Sequence, residues 1–243
     1  MPNVARSPGE VVRQAAPEVV VQARDIHKRF GQGPAAVWAL RGCELLLRRG
    51  RIVALMGPSG SGKSTLLHIV SGVDAPTQGR VEIEGRDVAR MTDREKARYR
   101  ARRIGFVLQR DNLIPALNLE ENVAAPLLIG GWSAGKARAR AREMLERVGL
   151  SERAQAWPGQ VSGGEAQRAA VARACAGRPI LIVADEPTGA LDKAAGAVVL
   201  RLLRELATEA GAATLLVTHD AEVAAIADEV LHLVDGRIGG RPG

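Results

Sequence analysis

The strongest constraint in this sequence is the run Gly57-Pro58-Ser59-Gly60-Ser61-Gly62-Lys63-Ser64-Thr65, which follows an apolar segment ending at Met56 and opens a stretch of helix formers. It satisfies the pattern G-x-x-x-x-G-K-[ST], and its place between a strand and a helix is the context phosphate binding requires. Glycines let backbone N–H groups converge on phosphate oxygens, and the helix N-terminus adds partial positive charge. Lys63 reaches the outer phosphates, and Ser64 can ligate Mg²⁺. At ordinary glycine usage, a chance match in a chain of this size is on the order of one in a hundred.

Around that loop the chain reads as α/β. Val19 to Ile26, Glu44 to Leu47 and Arg51 to Met56 have strand character and are broken by Gly31, Gly33, Pro34 and Gly50, which gives a β-rich edge. Lys63 to Val70 reads as helix, and Arg80 to Ile83 and Ile104 to Leu108 read as further strands. No strand pattern occurs from Asn118 to Gly177, where Ala141, Met144, Leu145 and Val148 recur at helical spacing. A helical subdomain is therefore expected as an insertion over about 110–177. Ile180 to Ala184, Thr214 to Thr218 and Val230 to Val234 return as short apolar strands between helices, the alternation of a mostly parallel sheet. Residues 1–18 and 236–243, without periodicity, are expected to be flexible ends.

Two more segments carry chemistry. Ile180 to Ala184 is an apolar strand that delivers Asp185 and Glu186 at its C-terminal end, where open parallel sheets bind ligands. Alone, the segment is ambiguous, since such acids also cap helices. Beside a phosphate loop, Asp185 can hold the Mg²⁺ shell while Glu186 orients or deprotonates an attacking water. Ser162-Gly163-Gly164-Glu165 is formally a capping box. Its two glycines also leave bare N–H groups at a helix N-terminus, which makes a second anion site. Two half-sites for one phosphate imply two chains.

Taken together, the phosphate loop, Val161-Ser162-Gly163-Gly164-Glu165, the Asp185-Glu186 strand, Leu191-Asp192 and Thr218-His219-Asp220 resemble the ATP-binding cassette family in order and spacing. The resemblance runs from about Val19 to Val234 and implies an ATPase fold over about 19–235. It implies a head-to-tail homodimer, with Ser162, Gly163, Gly164 and Glu165 of one copy facing the ATP held by Lys63 of the other, and it places Asp192 in the loop beside that nucleotide. By the same resemblance Gln109 touches Mg²⁺ and couples to a transmembrane permease subunit. His219 senses the γ-phosphate, and Phe30 stacks on adenine. Read without the family, Gln109 and His219 are ordinary polar residues at strand ends, and Phe30 is a core aromatic. The sequence departs from the family pattern at Val161, where Leu is usual, at Glu165, where Gln is commonest, and at Phe30, where Tyr is more frequent. Ser71 to Thr77, Asn112 to Pro115, Glu121 to Val123 and Pro126 to Leu128 resemble the branch that includes lipoprotein-releasing, macrolide-exporting and cell-division ATPases.

Composition narrows the partners. Aromatic residues are 2% of the chain, too few for the stacking platforms that bind single-stranded nucleic acid, and the core must be built from Val, Leu, Ile and Ala. The net charge of +7 gathers at Arg94, Lys96, Arg98, Arg100, Arg102 and Arg103 and again at Lys136, Arg138, Arg140 and Arg142, which read as solvated helix faces. No nucleic-acid partner is expected. Cys43 and Cys175 lack metal or redox spacing and read as small buried hydrophobes in a reducing compartment. No stretch approaches the ~18 apolar residues of a membrane span, so a cytoplasmic protein, peripheral on the membrane through its permease, is expected. Two functions share this engine: ATP-driven export or extraction of a substrate, and a regulatory module that transmits force to an envelope enzyme without transport.

Overall fold

The structure is a computed structural model and describes residues 18–109 and 112–239. Two long strands, β1 (Val19–Phe30) and β2 (Val37–Arg48), pair antiparallel from Val19↔Arg48 to Phe30↔Val37. β3 (Ile52–Met56) runs through the phosphate loop into α1 (Lys63–Val70). β4 (Gln78–Ile83) and β5 (Arg86–Asp87) complete an antiparallel sheet in the order β2-β1-β4-β5. Then come α2 (Asp93–Arg103), β6 (Ile104–Val107), α3 (Leu119–Ile129), α4 (Ala134–Arg147) and α5 (Gly163–Ala176). The last third alternates β7 (Leu181–Asp185), α6 (Lys193–Ala210), β8 (Ala213–Val217), the short α7 (Ala221–Ala224), β9 (Glu229–Val234) and β10 (Arg237–Gly239). The second sheet has the order β10-β9-β3-β8-β7-β6, parallel from β9 to β6 and antiparallel only at the β10 edge.

Successive residues of the parallel strands feed two different cores, as alternation across a pleat requires. Leu181 and Val183 pack with Val53, Leu55, Leu215 and Val217 toward α1 and the antiparallel sheet. Ile182 and Ala184 pack with Val107, Leu216 and the helices α3 to α6. Four capped or glycine-terminated helices frame these cores: Thr92, Asn118 and Ser162 each close a capping box, and Gly211, at φ 62°, ends α6.

The shortage of aromatics is met by close approach. α5 buries Ala169, Ala170, Val171, Ala172, Ala174, Cys175 and Ala176, and its backbone comes down directly on Gly105 of β6. A Cβ at Gly105 would lie 2.3 Å from the Ala174 carbonyl oxygen, a clash with backbone that no rotamer relieves. Gly105→Ala is expected to destabilise the fold by about 3 kcal/mol through forced separation of α5 from the sheet. A lowered thermal midpoint for the purified variant is the measurement, and an unchanged midpoint would show that α5 is not seated there.

Several sequence expectations shift. The strand expected at Glu44 to Leu47 is the end of the longer β2, because Gly42, at φ 79°, lets the ribbon bend without stopping. The chain from Gly236 was expected to be loose, yet residues 237–239 form β10. Gly236 also accepts from the Arg41 N–H (2.7 Å) and donates to the Ser61 carbonyl (3.2 Å). The edge of β9 supplies a row of unpaired donors and acceptors, and the Gly-rich end satisfies it. Glu18, assigned to the flexible N-terminal extension, is held by Arg49, whose N–H and guanidinium both bond it; residues 1–17 and 240–243 lie outside the described residues. α2 fully buries none of its residues, but Arg100 and Arg102 donate to the carbonyls of Gly72 and Gly130 and Arg103 pairs with Glu84, so only part of the charged run expected as a solvated face is one. Cys43 and Cys175 are both buried and free; desolvation pushes the Cys43 thiol up and that of Cys175 up to about 12. Among the described residues, no helix is long and apolar enough to cross a membrane.

Candidate nucleotide site

Four parallel strands end at one cleft of about 580 Å³. β3 delivers the phosphate loop, with Ser59, Gly60, Gly62, Lys63, Ser64 and Thr65 in the lining; β6 delivers Gln109, β7 delivers Asp185 and Glu186, and β8 delivers His219. Binding at the carboxyl ends of parallel strands follows from the geometry of the open sheet, since the loops there diverge and the following helices present their N-termini.

Two positions of the phosphate loop admit only glycine. Gly57, at φ 154°, sits so close to β9 that a Cβ would lie 2.1 Å from the Leu233 carbonyl oxygen. Gly62, at φ 106°, precedes α1 and would place a Cβ 2.5 Å from the Ala39 carbonyl oxygen. Within this frame Lys63 Nζ donates to the carbonyls of Gly57 and Pro58, both at 2.9 Å. An ammonium has three N–H donors, so one remains for a ligand, already aimed by the other two. The Ser61 hydroxyl is buried and has no hydrogen-bond partner in the described structure. It is absent from the cleft lining, so the remaining Lys63 donor, with Ser64 and Thr65 of the lining beside it, is what a phosphate would meet.

Glu186 adopts a left-handed backbone conformation, φ 45°, immediately after β7, while its N–H still bonds the Val217 carbonyl at 2.9 Å. Such a conformation in a non-glycine residue stores strain of order 1–3 kcal/mol and is found where the surrounding structure enforces it. Here it is enforced by the β8 end. Glu186 Oε1 accepts from the His219 N–H at 3.1 Å and lies 2.6 Å from His219 Nδ1, and Oε2 accepts from the Thr218 hydroxyl at 3.3 Å. Thr218 in turn accepts from the Asp220 N–H at 3.0 Å. Glu186 is thus largely shielded, whereas the His219 side chain is 71% exposed and free to meet a ligand.

The other sequence-derived residues are placed differently. Ser162 caps α5 by accepting from the Glu165 N–H at 3.2 Å, and its own N–H donates to Glu165 Oε2 at 2.8 Å. Bonds from the Ser162 backbone N–H and then its hydroxyl hold the Glu165 carboxyl below the usual carboxylate range. None of Ser162, Gly163, Gly164 or Glu165 lines the phosphate-loop cleft of its own chain. Asp192 accepts from the Ala195 N–H at 2.8 Å as the cap of α6, also outside the cleft. Phe30 is half exposed, lies under the Lys28 ammonium at 5.1 Å, and is absent from the lining, although Ala39 of the neighbouring strand belongs to it. Sequence reasoning missed Gln167, whose buried amide joins two of the site loops. The signal was present: Gln167 shares a helical face with Ala170, Val171 and Ala174, a polar side chain on an otherwise apolar stripe.

A phosphate loop, a strand-end carboxylate pair and a histidine at the next strand end define a nucleotide-hydrolysing P-loop protein. The pattern of the ABC transporter family matches residues 40–189. The chain is 44% identical over 218 residues to the lipoprotein-releasing system ATP-binding protein LolD of Bordetella pertussis, covering 90% of this chain and 94% of that one. It is 46% identical over 221 residues to an uncharacterized ABC transporter ATP-binding protein of Thermotoga maritima, covering 91% and 94%. A solved dimeric, post-hydrolysis state of the ATP-binding cassette MJ0796, bound to ADP and Pi, superposes with a TM-score of 0.83 at 39% identity, covering 90% of this chain and 97% of that one. The chain therefore belongs to the ABC transporter family, as an ATP-binding subunit that hydrolyses ATP.

Proposed function

We propose that two copies of this chain close head to tail, each ATP held between the Gly57 to Thr65 loop of one and the Ser162 to Glu165 helix tip of the other, and that closure drives a membrane permease. The observation that carries this reading is the separation within one chain: the capped N-terminus of α5 is fully formed, yet contributes nothing to its own cleft. A half-site built at a helix tip and left outside the cleft is completed by a symmetry mate. Dimeric relatives of this fold support the pairing.

In this arrangement Ser64 and Asp185 hold Mg²⁺, with Gln109 reaching its shell. One hydroxyl, one carboxylate and one amide suit a hard cation that keeps waters and takes phosphate oxygens as its remaining ligands. Bound there, the cation would neutralise developing phosphate charge; Glu186 takes the proton of the attacking water, and His219, held by Glu186, reaches the γ-phosphate. Asp192 faces the partner across the closed interface, and Phe30 supports the adenine ring.

The permease surface is the apolar groove of about 270 Å³ between α2, β6, α3 and α5, lined by Phe106, Ile114, Ala125, Pro126 and Ile129. Ile114 and Ile129 are 47% and 59% exposed, and β6 leads straight from this groove to Gln109. Its occupant holds the chain at the cytoplasmic face of the membrane. Kinship with a lipoprotein-releasing ATPase favours extraction of a lipid-modified or hydrophobic substrate.

The sandwich is tested by adding Ser162→Arg to Glu186→Gln. The single variant should dimerise when ATP is added, and the double variant should remain monomeric while binding ATP with the same affinity. A dimer that forms regardless of the arginine would place the second half-site elsewhere.

A further inference from the structure

The buried side chain of Gln167 makes three hydrogen bonds to two segments, one after β6 and one after β7. Its Nε2 donates to the Leu108 carbonyl at 2.9 Å and to the Pro187 carbonyl at 2.7 Å, and its Oε1 accepts from Asn112 Nδ2 at 2.9 Å. Leu108 immediately precedes Gln109, and Pro187 immediately follows Glu186. One amide therefore fastens α5 to two of the four loops that carry groups of the nucleotide cleft. Both of its N–H donors are used, so neither loop can shift alone without leaving a buried donor unpaired, a loss of about 1–3 kcal/mol.

Neighbouring contacts stiffen the same junction. Asn112 accepts from the Leu108 N–H at 2.8 Å and donates back to the Leu108 carbonyl, which closes the strand end onto itself. Arg173, further along α5, donates to the Asn112 carbonyl. The Gln109 side chain rests on Gly189, where a Cβ would come within 2.6 Å of its Nε2, so the two loops also touch each other. Gln167 lies five residues beyond Ser162 on a continuous helix, an axial distance of ~7.5 Å. A helix of this length moves as a rigid rod, so its tip and the junction shift together.

We propose that Gln167 is a positioning residue that couples the two ATP sites of the dimer: nucleotide engaging the α5 tip of a chain sets, through this amide, the Gln109 and Glu186 loops of that chain's own cleft. The inference rests on the two-chain sandwich proposed above. It requires a shift of α5, whose buried face belongs to the core, transmitted to the two carbonyls the amide holds. Coupling between sites then reads out as cooperativity in ATP.

The test is ATP hydrolysis by the full chain as a function of ATP concentration, with wild type expected to be sigmoidal and to approach a Hill coefficient of about 2 for two sites. Gln167→Met keeps the volume and removes the amide. ATP affinity of the monomer should stay within about twofold, while kcat falls ~10-fold and the Hill coefficient falls to about 1. A residue with only a structural role would lower the thermal midpoint and the active fraction and leave the Hill coefficient untouched. Asn112→Ala, which loosens the same junction from the loop side without altering α5, should move the Hill coefficient in the same direction, and it decides the matter if the methionine variant does not fold. Wild-type cooperativity in these variants, alongside an ATP-dependent Glu186→Gln dimer, overturns the coupling alone. A Glu186→Gln variant that stays monomeric with ATP overturns the sandwich and the coupling with it.

Discussion

Glu186→Gln is expected to slow ATP turnover at least ~100-fold, about 2.7 kcal/mol of lost transition-state stabilisation, while ATP binding survives and the dimer accumulates. The reasoning is local. Glutamine keeps an oxygen in the place of Oε1, so the His219 N–H at 3.1 Å retains its acceptor, while the amide nitrogen in the place of Oε2 donates to the Thr218 hydroxyl oxygen, which turns to suit, and the loop keeps its shape. The left-handed backbone at φ 45° is imposed from β8 and does not depend on the charge of the side chain. What the amide cannot do is accept a proton from water. Lys63 and the glycines of the phosphate loop are untouched, so affinity is retained, and a dimer that closes on ATP and cannot hydrolyse it stays closed. Phosphate release measures the first effect, and elution volume in ATP measures the second. Turnover near that of the wild type would remove Glu186 from the role of base.

Much of this was legible in the sequence because each visible element carries its own local physics. The phosphate loop announces itself since glycine is obligatory where Gly57 and Gly62 meet foreign carbonyls at distances no Cβ tolerates. β7 is legible because a strand buried on both faces reads as an unbroken apolar run, Ile180 to Ala184. The reach of β2 was hidden by Gly42, which marks a bend in a continuing strand and not its end. β10 was hidden because its stability comes from its neighbour: a Gly-Arg-rich tail has no strand pattern until the β9 edge and the Ser61 and Arg41 backbone groups are placed beside it. The same holds for Gln167, whose three partners are scattered at Leu108, Asn112 and Pro187 and meet only after folding. Pairings of high sequence separation leave no periodic trace. The order of residues shows what a segment can do alone, and the site here is largely made of what segments do to one another.

Lys63→Ala is expected to act on the opposite step, weakening ATP binding by ~10- to 150-fold, the equivalent of about 1.5–3 kcal/mol for a hydrogen bond to a charged group. The geometry gives this residue two tasks. Two of its ammonium hydrogens tie the carbonyls of Gly57 and Pro58, which would otherwise point their negative ends at the space a phosphate must enter. The third supplies a charge-assisted donor, shorter and roughly twice as strong as a neutral one. Alanine loses both, so the loop relaxes and the cleft loses its formal positive charge at the same position. Arginine should not rescue binding, because a planar guanidinium cannot satisfy two loop carbonyls and a phosphate in the fan that a tetrahedral ammonium provides. Equilibrium binding of a fluorescent ATP analogue to the monomeric chain, with Glu186→Gln as the control that binds normally, separates affinity from chemistry. Unchanged affinity in Lys63→Ala would mean that phosphate is held by backbone N–H groups alone and that the lysine serves only to brace the loop.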